Sequence, residues 1–157
     1  MAQKIIPNLW FDTEGEEAAK FYTAIFPDSK ITNVTHYGEA GPREAGLVLT
    51  VDFELEGQAF TAINGGPDFK FNEAISFLVE CETQEELDER WERLLEGGGK
   101  EIQCGWLKDK YGLAWQIVPK GMAEMLEGDS EGANRAMAAM LQMVKIDLKV
   151  LQDAYNG

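Results

Sequence analysis

Asp12-Thr13-Glu14-Gly15-Glu16 and Glu82-Thr83-Gln84-Glu85-Glu86 are two versions of one signal in a chain of 157 residues. In each, a Thr precedes a Glu by three residues, the spacing at which a hydroxyl and a carboxylate satisfy free backbone N–H groups at a helix start. The two Thr lie 70 residues apart, and apolar helix positions keep that offset: Phe21 with Trp91, Ala24 with Leu94, Ile25 with Leu95. The repetition predicts two similar halves paired around one shared cavity.

Around the first signal, residues 4–11 read as a strand and 14–26 as a helix, with Ala18, Phe21, Tyr22 and Ile25 at helical spacing. A β-branched strand over 30–37 follows. Residues 47–55 and 58–64 then form a hairpin about Glu56-Gly57. Gly65-Gly66-Pro67-Asp68-Phe69 separates the halves. Around the second signal, 73–81 is a strand and 84–96 a helix stopped by Gly97-Gly98-Gly99; 100–102, 105–109 and 113–118 are short strands. Past Pro119 the pattern is helical, with a short turn at 122–126, Ser130 as a cap and one long helix over 133–155. The reading is α+β: a strand-helix-three-strand module over 1–66, a second over 67–119, and a helical extension over 120–157.

A formal charge of −14 excludes a nucleic-acid partner, which demands a basic surface, and disfavours anionic membranes. No apolar run reaches the length of a membrane span, and no leader pattern opens the chain, so the expected location is the cytoplasm. Cys81 and Cys104, far apart and alone, suggest neither a zinc site nor a disulfide scaffold.

The chemistry-bearing residues are few. His36 is the only histidine, so no HxxxH pair exists, and no CxxC is present. Gly97-Gly98-Gly99 follows a helix, whereas a phosphate-cradling loop precedes one. No Gly-x-Ser-x-Gly elbow appears. What remains is neutral polar residues inside apolar strands: Asn8, Asn64, Ser76 and Gln116. A buried amide needs partners, and either a ligand pocket or the backbone of an ordinary core would supply them.

The stretch Cys104-Gly105-Trp106-Leu107-Lys108-Asp109-Lys110-Tyr111-Gly112-Leu113-Ala114-Trp115-Gln116-Ile117-Val118-Pro119 resembles the PhnB-like proteins, a family labelled 3-demethylubiquinone-9 3-methyltransferase. Pro7-Asn8-Leu9-Trp10-Phe11, Phe21-Tyr22, Phe60-Thr61-Ala62-Ile63-Asn64-Gly65-Gly66 and Met143-Val144-Lys145-Ile146-Asp147 extend the resemblance over nearly the whole chain. That family lies in the glyoxalase/bleomycin-resistance/dioxygenase (vicinal oxygen chelate) superfamily. The resemblance implies tandem βαβββ modules forming a curved eight-stranded mixed sheet, a homodimer, and chemistry centred on a metal held by the first and last strands. Aligning on the helix starts puts those ligand positions near 6–8, near 62–64, at Ser76 and at Gln116, where none is His, Asp or Glu. The expectation is therefore a cup without metal or cofactor that binds a small apolar or aromatic molecule. Its lining is expected from Asn8, Trp10, Phe60, Asn64, Ser76, Cys104, Trp106 and Gln116. One alternative is an enzyme of the same fold acting on a quinone-like or dicarbonyl compound, with Cys104 or Glu80 as acid/base. Another is a structural dimer that works through its C-terminal helix.

Overall fold

The computed structural model describes residues 3–157, which divide into two compact units between Phe71 and Asn72. In the first, β1 (Asn8–Phe11), α1 (Gly15–Ile25), β2 (Lys30–His36), β3 (Val48–Leu55) and β4 (Gln58–Asn64) follow one another. The sheet order is β1-β4-β3-β2, with β1 parallel to β4 and the other pairs antiparallel. Alternation in β3 explains the layering: Val51, Phe53 and Leu55 are buried under α1, while Asp52 and Glu54 point to the other face. Tyr22 of α1 stacks on Phe53 at 6.2 Å, and Phe53 on Phe60 at 5.4 Å. The β3–β4 hairpin closes through Glu56 (φ 47°) and Gly57 (φ 85°), both left-handed, as a two-residue turn between twisted strands requires.

The second unit repeats the order with β5 (Ser76–Cys81), α2 (Gln84–Leu95), β6 (Lys100–Glu101), β7 (Trp106–Lys108) and β8 (Ala114–Pro119). Its sheet runs β5-β8-β7-β6, again with the outer strand parallel to the last. Leu107, Trp115, Ile117 and Cys81 form a core with Leu87, Trp91 and Leu94 of α2. Buried Asp109 sets the last hairpin: Oδ1 accepts from the N–H groups of Tyr111 and Leu113, and Oδ2 accepts from Trp115 Nε1 at 2.9 Å. The chain is thus α+β, with two βαβββ modules whose eight strands are hydrogen-bonded as two mixed sheets of four, followed by helices.

The two helix starts are not equivalent, which corrects the expected capping pair. Thr83 accepts from Glu86 N–H, and the Glu86 carboxylate accepts from Glu82 N–H at 2.8 Å, the full reciprocal cap. Thr13 does not cap α1. The N-cap is Glu14, without a side-chain cap bond, and Gly15 N–H instead donates to Asn64 Oδ1 at 2.8 Å. The repeat in space is accordingly 69 residues and not 70: Glu14 matches Thr83, and buried Ala18, Tyr22 and Ile25 match Leu87, Trp91 and Leu94.

The single helix expected over 133–155 is also corrected. Three helices follow Pro119: α3 (Met122–Leu126), α4 (Glu131–Met140) and α5 (Leu148–Asn156). Ser130 caps α4 as expected, accepting from Ala133 N–H. Residues 141–147 leave the helix because their backbone is engaged elsewhere: Met143 and Val144 carbonyls accept from the N–H groups of Cys104 and Gly105, both at 2.8 Å. Asp147 then opens α5 by accepting from Val150 N–H. Arg135 ties the two helices together, donating to the carbonyls of Ala154 and Tyr155. No helix among the described residues is long and apolar enough to cross a membrane.

Asn64 bonds through both ends of its side-chain amide and through its backbone carbonyl. Its Nδ2 donates to Val48 O, its carbonyl accepts from Tyr37 Oη at 2.7 Å, and its side chain is buried. Asn64→Ala is expected to lower stability by about 1–3 kcal/mol in urea unfolding, because Gly15 N–H loses its buried acceptor.

Candidate ligand-binding face

One helix packs on each sheet, so each sheet keeps a face turned away from its helix, and register assigns residues to it. On the first sheet, Asn8, Thr61, Asp52 and Asn33 form one cross-strand row, and Trp10, Ile63, Thr50 and Thr35 the next. Thr61 Oγ1 donates to Asp52 Oδ1 at 2.7 Å, and the Thr35 and Thr50 hydroxyls lie 2.6 Å apart. A shallow cavity of about 230 Å³ opens beside this network, lined in part by Ile6, Thr32, Asp52, Glu54 and Thr61. Trp10 lies against Gly65, where a Cβ would collide with the indole, and its Nε1 donates to Gly66 O. Phe69 meets the same indole edge-on at 4.9 Å. These contacts place residues 67–71 with the first unit.

On the second sheet, the face turned from α2 carries Ser76, Leu78 and Glu80 from β5, Gln116 from β8, and Trp106 and Lys108 from β7. Gln116 stands at its centre, directly opposite Leu78 on one side and Trp106 on the other. Its Nε2 donates to Ser76 Oγ at 2.9 Å. Gln116, Ser76 and Trp106 are half-buried, Leu78 is exposed, and small Ala114 and Val118 are buried on the same face. Lys108 pairs with Glu73 at the rim. That hydrogen bond holds the Glu73 carboxyl below its ordinary value.

Within each unit, register assigns the residues expected to line a pocket to one face of the sheet or the other. Ser76, Trp106 and Gln116 share the helix-free face of the second sheet, with Cys104 in the left-handed turn (φ 62°) leading into β7. Asn8 and Trp10 occupy the helix-free face of the first sheet; Asn8 is exposed and donates to Ile6 O. Asn64 lies on the opposite side, in the core beneath α1, and the Phe60 ring stacks there on Phe53, although Phe60 also contributes to the lining of the cavity beside Asp52 and Thr61. Leu78 and Lys108 are neighbours of Gln116 and Trp106 that the sequence reading did not single out. The alternation Ser76-Leu78 and Trp106-Lys108 is the signal that contains them.

The superfamily's metal does not fit these residues. The aligned positions offer two amides and a hydroxyl that already bond within the protein, plus exposed Asn8. Among the described residues, no three His, Cys, Asp or Glu side chains converge as a metal-binding group. His36 and Glu39, three apart at the end of β2, are both exposed.

The sequence model of the family described as 3-demethylubiquinone-9 3-methyltransferase matches residues 3–118. This chain belongs to that family. A PhnB protein from Bacillus cereus with the same methyltransferase description is 37% identical; the match covers 74% of this chain and 99% of that one, with a TM-score of 0.68. Two more distant structures share the fold. Protein PA1353 from Pseudomonas aeruginosa is 19% identical over 74% of this chain and 96% of its own, with a TM-score of 0.60. The fosfomycin resistance protein FosX from Listeria monocytogenes is 14% identical over 82% and 99%, with a TM-score of 0.58. No curated protein matches. The family match takes in both sheets and ends before α3.

The rim pair gives a titration with a defined sign. Because Lys108 lowers the Glu73 pKa, the pair's contribution is complete above the ordinary value of 4.5 and is lost as pH falls through the lower, folded value. Carboxyl NMR is expected to place the Glu73 midpoint below 4.5, and Lys108→Ala to return it towards that value.

Proposed function

We propose that this chain binds a small, uncharged, ring-bearing organic molecule on the helix-free face of its second sheet, without a metal ion. The observation that carries this reading is the placement of Gln116, anchored by Ser76 and paired across the strands with Trp106. Gln116 Oε1 accepts no hydrogen bond from any described residue, and the Ser76 hydroxyl proton is free to donate. Beside an indole, one acceptor and one donor suit a ring carrying a hydroxyl and a carbonyl. The family's description names a demethylubiquinone as substrate, a molecule of this class.

Binding, and not methyl transfer, is the activity proposed. The glycine run 97–99 follows α2, so it offers no helix N-terminus to a nucleotide-like methyl donor. The charge of −14 favours a neutral ligand over an anion. The reading includes a homodimer in the cytoplasm: Ile75, beside the edge strand β5, is 68% exposed, and a second copy would cover it.

Isothermal titration with a methoxyhydroquinone and its benzoquinone tests the proposal. Micromolar binding by metal-stripped protein is expected, with Trp106→Ala and Gln116→Ala each weakening it roughly tenfold or more. No binding until a divalent ion is added would contradict it. Turnover of the probe with S-adenosylmethionine would show an enzyme instead. Sedimentation is expected to give twice the 17.5 kDa chain mass.

A further inference from the structure

We infer that residues 143–148 are a strap that holds the turn carrying Trp106, making Gln84 a positioning residue for the candidate face. The strap lies past residue 118, where the match to the family's sequence model ends, and coincides with the Met143–Asp147 segment that resembles the family. It lies against the 103–106 turn, where Met143 O and Val144 O accept from the successive N–H groups of Cys104 and Gly105. Ile146 is fully buried, and its Cγ1 would lie 2.9 Å from a Cβ built on Gly105, so glycine is required for this approach. Gly105 also has φ 83°, and Cys104 φ 62°. Two successive left-handed residues form a turn that nothing in their own conformational preference stabilises beyond glycine.

Gln84, at the start of α2, grips the strap at both ends of its amide. Nε2 donates to Ile146 O at 2.9 Å, and Oε1 accepts from Leu148 N–H at 2.8 Å. Lys145 pairs with Asp88, one helical turn further on, at 2.8 Å. The strap is thereby fixed to the helix on one side and to the turn on the other. The turn in turn sets β7 against β8: Gly105 O accepts from Ile117 N–H at 2.8 Å, next to the Trp106–Gln116 pair. Release of the strap frees Cys104 and Gly105 N–H, loosens that pair, and displaces the indole from Gln116.

The inference rests on the proposed binding activity only for its effect on affinity; its structural part is read without ligand. Amide hydrogen exchange by NMR on the full chain is the test, comparing the natural protein with Gln84→Ala and with Gln84→Glu. Gln84→Ala removes both strap bonds and the bond from Nε2 to Asp88 Oδ1, and exchange at Cys104, Gly105 and Ile117 is expected to accelerate about tenfold or more while Val51 and Phe53 in the first sheet stay unchanged. The Trp106 indole N–H resonance moves with it. Gln84→Glu keeps an acceptor for Leu148 N–H but sets a carboxylate against Ile146 O and the Asp88 carboxylate, and is expected to accelerate exchange at least as far as Gln84→Ala. If Gln84→Ala leaves exchange and the indole resonance unchanged, there is no strap. If exchange rises but the Trp106 resonance and Ile117 do not respond, the strap holds only itself, and the positioning role is overturned. Absence of any binding by the natural protein would overturn the proposed function and leave these readouts to judge the strap alone.

Discussion

Each sheet of this protein receives a single helix, and a helix can seal only one face of four strands. On the first sheet that seal consists of Tyr22, Phe53 and Phe60 stacked in series, with Leu9, Phe11 and Ala62 around them. Burial of a large apolar or aromatic side chain contributes roughly 1.5–3 kcal/mol, so the sealed face is committed to stability. Everything available for recognition must stand on the other face. Strand alternation then decides the candidate site residue by residue: Gln116 and Trp106 are available because Trp115, Ile117 and Leu107 are not.

The same alternation explains what was legible in the sequence. Hydrophobic period and turn chemistry placed α1, α2, the Glu56-Gly57 hairpin and strands β2 to β8 close to their observed bounds, because each is specified locally, whereas β1 begins only at Asn8 and not at residue 4 as expected. Gln116, Ser76 and Trp106 could be assigned to a common face by counting along β5, β7 and β8. Phe60 and Asn64 needed one more fact, namely which face the helix covers. Asn64 looked like a ligand-seeking amide because its partners, Gly15 and Val48, lie 49 and 16 residues away in sequence. The break in the helical pattern at 141–147 has the same origin: the backbone acceptors that Cys104 and Gly105 require come from a distant segment, and no local period reports that.

The two modules also differ in a way that bears on how they are held. The second caps its helix from within, through Thr83 and Glu86, whereas the first borrows Asn64 from its last strand. The first module thereby couples helix and sheet through one buried amide. In the second unit, α2 is tied instead to the C-terminal segment through Gln84 and Asp88. A duplicated architecture has thus kept its topology and exchanged the interactions that brace it.

The central claim is that the helix-free face of the second sheet recognises a neutral ring. Mapping amide and indole chemical shifts during titration of metal-free protein with methoxyhydroquinone tests it most directly. The account predicts saturable shifts concentrated at Ser76, Leu78, Trp106 and Gln116. Saturable shifts centred instead beneath α1 or α2, or none without a divalent ion, would contradict it.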